Sequence, residues 1–442
     1  MVADEYRTVT FTLSWKIWND MAMIIAWFET DDIFQRVSIL FLLACLFGYT
    51  TNIASAFSSS EEENTYATLI GFFLAARLYM TAYLFLTALL VPMIRPVMLY
   101  YTSIALLNAA LWIASIHVSY PNQLALIFLA LCLELTGQTS YIALLTVAQR
   151  ILPDKIKHTT TGNASIFPAI NIEHRVERTN AFVSLVFGYT VVAILYQSAS
   201  QGIDAIFGKA ILALIQPFAF NWLYFELDGD YRLLATHAIR RAKFSAMVWS
   251  LAHLLFIMSF VLGGGALARL VLAGDVEGVR VGGLTETYQD RSEEEVRQGI
   301  RWFYCGGFGS ALLFMGAISM SHVHKDLRGM RVSKRLRLGF RGCMGIVMIL
   351  LPLAGKRLSS LGLVATMTGL IVASLVVEVW GVSRKVTGLV LVGGGKPRGY
   401  VGHCGKRDLQ AVLGKDGRVD VDALEERRRR VDGGDEAVGA SM

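Results

Sequence analysis

Along most of its length the chain alternates between long apolar runs and short polar connections. A helix rising 1.5 Å per residue needs about 20 apolar residues to cross the hydrocarbon core of a bilayer. On that measure the sequence predicts roughly eleven spans. They are Val9–Phe28, Val37–Phe57, Tyr66–Val91, Val97–Ser119, Asn122–Val147, Thr179–Gln197, Gly208–Leu227, Phe244–Gly265, Ile300–Met320, Leu338–Leu353 and Ser360–Trp380. The first is the weakest, because Lys16 and Asp20 interrupt it. The N-terminus shows no basic stretch or small-residue cleavage site of a signal peptide, so insertion is expected to rest on the spans themselves.

The polar connections divide by charge. Those at 150–178, 232–243 and 325–337, and the stretch after Arg384, are basic. Lys and Arg in short loops are retained in the cytosol while acidic loops cross freely, so these four are expected to be cytosolic. The acidic or mixed connections are Ser58–Asn64, with Glu61, Glu62 and Glu63, and 275–298, with Glu293, Glu294 and Glu295. They fall on the opposite side by alternation. The expected fold is therefore an all-α, multi-pass integral membrane protein with its N-terminus outside and its C-terminus inside. Its expected parts are an N-terminal stub at 1–8, a membrane domain at 9–383 and a polar, mostly disordered tail at 384–442. On this topology the sequon at Asn163 and Ser165 lies in the cytosol and carries no glycan.

Composition agrees with a chain solvated largely by lipid. Of 442 residues, 54% are apolar and 17% charged, against roughly 25% charged in a soluble domain. The net charge of +6 would suit nucleic acid, but the basic residues lie between apolar runs, where inside-positive topology accounts for them. The expected partner is the bilayer, with anionic lipids at its cytosolic face, and not nucleic acid. Five cysteines are scattered without C-x-x-C spacing, and His322-Val323-His324 has no third ligand at helical spacing, so no metal or other cofactor is expected. No H-x-x-H series or nucleophile elbow is present, and no enzymatic activity is expected.

The informative residues are the charges at membrane depth. Each costs at least ~2.5 kcal/mol at mid-bilayer, so each asks for a partner or a purpose. Counted from the span ends, Arg77 and Glu134 both lie roughly 16–18 Å deep, and Asp20 and His253 fall near the same plane. Two readings follow. In one, Asp20, Arg77, Glu134 and His253 form a midplane cluster suited to a proton or solute pathway. In the other, Arg77 and Glu134 are a buried pair that fixes helix register, and His253 is hydrogen-bonded and inert. Near the cytosolic face, Asp31, Asp32 and Arg36 precede one span and His174, Glu177 and Arg178 enter another. Capping and anchoring, or a gate at the mouth of a pathway, are both open to them. The Gly263–Gly265 run and Gly306, Gly307 and Gly309 read as packing surfaces, and Pro217 as a kink.

Several stretches carry a family resemblance. Trp27-Phe28-Glu29-Thr30-Asp31-Asp32 followed by Arg36, Arg77 with Tyr83, Arg95-Pro96, and His174-Arg175-Val176-Glu177-Arg178 running into Gly188 occur in order along the chain. With Asn221-Trp222-Leu223-Tyr224-Phe225-Glu226 and Ala252-His253-Leu254-Leu255-Phe256, they resemble the low temperature requirement A (LtrA) family, particularly its fungal form. The resemblance covers about Val9 to Trp380. It departs at Gly188, which is followed by Tyr189 where many bacterial-type members place a glutamate, and in the absence before Thr10 of a helix with an E-L-F-F-D-type motif. What it implies is a role in growth or membrane function at low temperature, a phenotype and not a mechanism. The molecular readings are a secondary transporter or ion pathway first and a membrane scaffold or assembly factor second.

Overall fold

The computed structural model describes residues 2–28, 32–58, 64–119, 121–151, 166–195, 203–228, 234–277, 279, 289, 292, 296–324, 331–353 and 358–382. Asp31, the sequon at Asn163, the two triple-glutamate runs and the tail beyond Val382 lie outside the described residues.

Among the described residues, eleven long helices stand where the apolar runs predict them: α1 (Val2–Trp27), α2 (Ile33–Thr51), α3 (Tyr66–Leu90), α4 (Arg95–His117), α5 (Asn122–Ile151), α6 (Ile172–Leu195), α7 (Ala205–Asn221), α8 (Lys243–Leu272), α9 (Gln298–Ser321), α10 (Lys334–Leu350) and α11 (Ser360–Val382). Among the described residues, nine spans are long and apolar enough to cross a membrane, and α5, bent by 62° near Gly137, makes a tenth if its halves count together. The first of the eleven predicted spans falls short: α1 has the length but is not apolar enough to be counted.

Several helices outrun their apolar runs. Helix α1 starts at Val2, inside the expected stub; α6 takes in Ile172–Arg178 from the connection expected at 150–178; and α10 takes in Lys334–Arg337 from that at 325–337. The reason is visible in burial. Arg175 is 3% exposed and Arg337 8%, so the first turns of α6 and α10 pack against neighbours instead of fraying into water.

The outer surface of the bundle is apolar, unlike that of a soluble protein, and charged and polar side chains lie inside. Large apolar side chains point outward, such as Ile33 (81% exposed) and Phe47 on α2, Leu185 on α6 and Phe218 on α7, while Lys16, Asp20, Glu134, Lys209, Gln216 and His253 are buried. In lipid no hydrophobic force draws helices together, so close packing and interhelical hydrogen bonds must. Helices α1 to α5 share one core built on Leu13, Leu42, Tyr49, Phe73, Trp112 and Ile127. In the second half, α8 and α9 have the most extensive contact. They approach at Gly263 and Gly307, where a Cβ on Gly307 would stand 2.5 Å from the Gly263 nitrogen. Helix α1 joins the halves by packing on α2, α3, α6 and α8.

Polar contacts fix the helix ends. Lys209 of α7 donates to the Leu270 and Ala273 carbonyls (3.2 and 2.6 Å) and so satisfies the open C-terminus of α8. At the other end, β1 (Leu234–Thr236) pairs antiparallel with β2 (Val323–His324). This short ladder ties the α7–α8 connection to the α9–α10 connection. Pro217 is accommodated inside α7, which runs on to Asn221 and then widens into a π-helical turn, Trp222–Asp228. Proline leaves the carbonyl four residues earlier, that of Ala213, without its helical donor.

Candidate functional site

Helices α1, α3 and α5 bring four charges together inside the first half. On α1, Lys16 and Asp20 are one turn apart and their side chains meet at 2.7 Å. Arg77, at the middle of α3, spreads its guanidinium between two carboxylates: Nε and Nη2 each donate to Glu134 of α5 at 2.9 Å, and Nη1 donates to Asp20 Oδ2. The Lys16 ammonium closes the ring, 3.6 Å from Glu134 Oε2. Each cation thus touches both anions, and no side chain of the four is more than 11% exposed. Two positive and two negative charges in contact make the group neutral as a whole, which is the condition for keeping it at membrane depth.

The cluster borders a cavity of about 50 Å³. Its polar wall is Lys16, Asp20, Arg77 and Glu134; its apolar wall includes Trp27, Met80, Tyr101 and Leu133. A water needs roughly 10–15 Å³ of such space, so the cavity suits a few waters or a small ion, and not a solute needing ~300 Å³ or more.

Of the four residues expected at the midplane, the structure joins three and separates the fourth. His253 of α8 donates from Nδ1 to the Trp249 carbonyl (2.7 Å) and pairs through Nε2 with the Tyr224 hydroxyl (2.8 Å), which lies 3.0 Å from Asn180 Oδ1. Helix α8 turns His253 toward Tyr224 in the π-helical turn that follows α7, away from Asp20, Arg77 and Glu134. Lys16 takes the fourth corner. Its signal was present in the sequence as the i, i+4 partner of Asp20.

The residues expected at the cytosolic mouth stay apart from the cluster. Asp32 caps α2, its Oδ1 accepting from the Gln35 N–H at 2.7 Å, and Arg36 is exposed on the same helix. His174 and Glu177 lie 3.5 Å apart on the exposed side of α6, and Arg178 is half-buried. The residue between them, Arg175, turns inward. Its Nη2 donates to Asn19 Oδ1 (2.5 Å) beside Asp20, its guanidinium sits 5.8 Å from the Trp18 ring centroid, and its buried Nη1 has no hydrogen-bond partner. The stripe Arg175, Thr179, Val183, Val186, Thr190 is the buried face of α6, and His174, Glu177 and Arg178 fall off it.

A second set of histidines lies in the connections. His237 and His322 stand with ring centroids 4.6 Å apart, and each accepts a backbone N–H at Nδ1, from Ile239 and Ala238 respectively. Burial pushes the His237 imidazole down to about 4, and the neighbouring Arg240 charge adds to this. Among the described residues, no three His, Cys, Asp or Glu side chains are grouped to hold a metal ion.

Long lipid-facing helices around a buried charged cluster define a multi-pass α-helical membrane protein. Residues 6–382 match the model of the bacterial low temperature requirement A protein (LtrA), and the chain belongs to that family. No curated protein and no solved structure matches the chain.

Proposed function

We propose that this LtrA protein, read as a fungal-type member, is a secondary transporter or ion pathway whose working site is the cluster of Lys16, Asp20, Arg77 and Glu134. The observation that carries the reading is the juxtaposition of these charges with a cavity inside the membrane domain. Charges that served only to hold helices together would be sealed by packing, whereas these border open space. The size of that space favours protons or small inorganic ions over organic solutes. The chain is proposed to have no enzymatic activity of its own, and its basic connections to meet anionic lipid.

A scaffold role is the second reading, and one feature favours it: every charge in the cluster already has a partner, which is also how a buried ion network fixes helix register. Purified, full-length protein in liposomes separates the two. Internal pH and ion content are followed for wild type and Glu134→Gln. The pathway reading expects flux in the wild type and its loss in the variant; a folded wild type with neither flux nor ion binding leaves the scaffold.

A further inference from the structure

The cavity wall that α4 supplies is Tyr101, Ile104 and Ala105. One turn further along the same face stands Asn108, 1% exposed, and one turn beyond it Trp112, 0% exposed. Among the described residues, Asn108 Oδ1, Asn108 Nδ2 and Trp112 Nε1 have no hydrogen-bond partner. A buried polar atom left in that condition is costly, and at Asn108 a leucine of similar size would avoid the cost. The face then ends on bonded groups: the Ser115 and Tyr66 hydroxyls are 2.7 Å apart, and the half-buried Gln123 of α5 donates from Nε2 to the Ser115 carbonyl at 3.1 Å. Resting on the pathway reading above, we propose that Asn108 and Trp112 hold a file of water molecules that carries protons between the cavity and this end of the bundle.

The three atoms decide between water and an ion. One accepts a hydrogen bond and two donate, so only a ligand that does both satisfies them all. A metal cation needs several oxygens, whereas the amide offers one and the indole none. An anion would leave Oδ1 unsatisfied. Water meets each requirement. The spacing agrees, because Asn108 to Trp112 to Ser115 advances by about 6 and then about 4.5 Å along the helix axis. Two O–H···O bonds of about 2.8 Å cover such a gap, so one water spans each. Ala105 and Ala109, both 5% exposed, keep the side chains beside Asn108 small. A proton crosses such a file by hops. At each water one O–H bond forms as another breaks, and the electron pair of the broken bond stays on that oxygen.

Full-length protein is tested in two ways. Radiolytic hydroxyl labelling in detergent modifies a buried side chain only where bound water lies beside it. Trp112 is expected to be labelled in the wild type and protected in Asn108→Leu. In liposomes under an imposed pH gradient, with voltage clamped by potassium and valinomycin, Asn108→Leu is expected to lower proton flux about tenfold or more, because the break leaves buried groups unsatisfied. Asn108→Ser, which keeps a donor and an acceptor, is expected to conduct better than Asn108→Leu. Trp112→Phe keeps a ring against Phe73, is also expected to lose flux, and replaces Asn108→Leu if that variant does not fold. An unlabelled Trp112 in folded wild type, or undiminished flux in a folded Asn108→Leu, overturns the file and leaves a pathway by another route. Passage of sodium in place of protons overturns the assignment to protons and also leaves the pathway. No flux of either ion removes the pathway itself, and with it the file as a conductor.

Discussion

Arg77 meets Glu134 along two parallel bonds, Nε to Oε1 and Nη2 to Oε2, both 2.9 Å, and the two residues come from the middles of different helices. A fork of this kind fixes angle as well as distance. It therefore sets how α3 and α5 are rotated toward each other. The third nitrogen reaches α1, so a single guanidinium organises three helices.

Removing one charge from the ring leaves the others uncompensated in a site where solvent cannot screen them. Glu134→Gln is expected to cost about 3–5 kcal/mol, because Arg77 and Lys16 would then share one carboxylate. The double variant Arg77→Met/Glu134→Gln restores neutrality, leaving Lys16 with Asp20. It is expected to recover part of the loss, so the two changes are strongly non-additive. Thermal unfolding in detergent, followed by intrinsic fluorescence, measures all three. Simple additivity would mean that the pair is not coupled as its geometry says.

The close crossing of α8 and α9 makes a separate prediction. A Cβ on Gly307 would meet backbone atoms of Gly263 and Ser259 at 2.5 to 2.8 Å, and backbone cannot swing aside. Gly307→Ala is expected to destabilise by about 1–3 kcal/mol, and Gly307→Leu to abolish folded yield. Gly316, further along α9, has nothing within 4 Å of the same added atom. Gly316→Ala is the control and is expected to be tolerated. Monodisperse yield on size exclusion reads the contrast.

Much of this was legible in the chain. Apolar length located the helices, and the rule that a charge in lipid needs a partner at its own depth brought Asp20, Arg77 and Glu134 together before any coordinates. What depth leaves open is rotation about the helix axis. His253 lies on a face of α8 directed at Tyr224, and nothing in its sequence position announces that face. Lys16 was counted as a flaw in a weak span, when its spacing from Asp20 already made it a candidate member. On α6 the buried stripe through Thr179 and Val183 includes Arg175 and leaves out His174, Glu177 and Arg178.

His237 predicts a pH dependence. Its folded imidazole titrates at about 4, while in an unfolded chain it takes up a proton near 6.5. Between those values the unfolded state binds more protons, so stability is complete above about 6.5 and declines as pH falls toward 4. His237→Gln is expected to flatten that decline, with unfolding midpoints of wild type and variant compared from pH 7.5 to 4.5. Parallel curves would place the acid sensitivity elsewhere.

The second buried ion group tests the same physics with a different charge count. Glu378 of α11 is contacted by two guanidiniums of α10: Arg337 at 2.5 Å and Arg341 at 2.7 Å. All three side chains are at most 9% exposed, so screening by water is slight. Here both guanidiniums meet on the single carboxylate of Glu378, whereas the cluster on α1, α3 and α5 has two carboxylates. Truncating Arg337 to Met keeps the contact of Arg341 with Glu378 and is expected to be mild. Glu378→Gln leaves two like charges on adjacent turns of one helix, facing each other across the site they shared. It is expected to be more damaging than Glu134→Gln in the same unfolding assay. If Arg337→Met proves as harmful as Glu378→Gln, charge balance is not what holds α10 to α11, and the aliphatic packing of Arg337 against Gly381 becomes the stronger explanation.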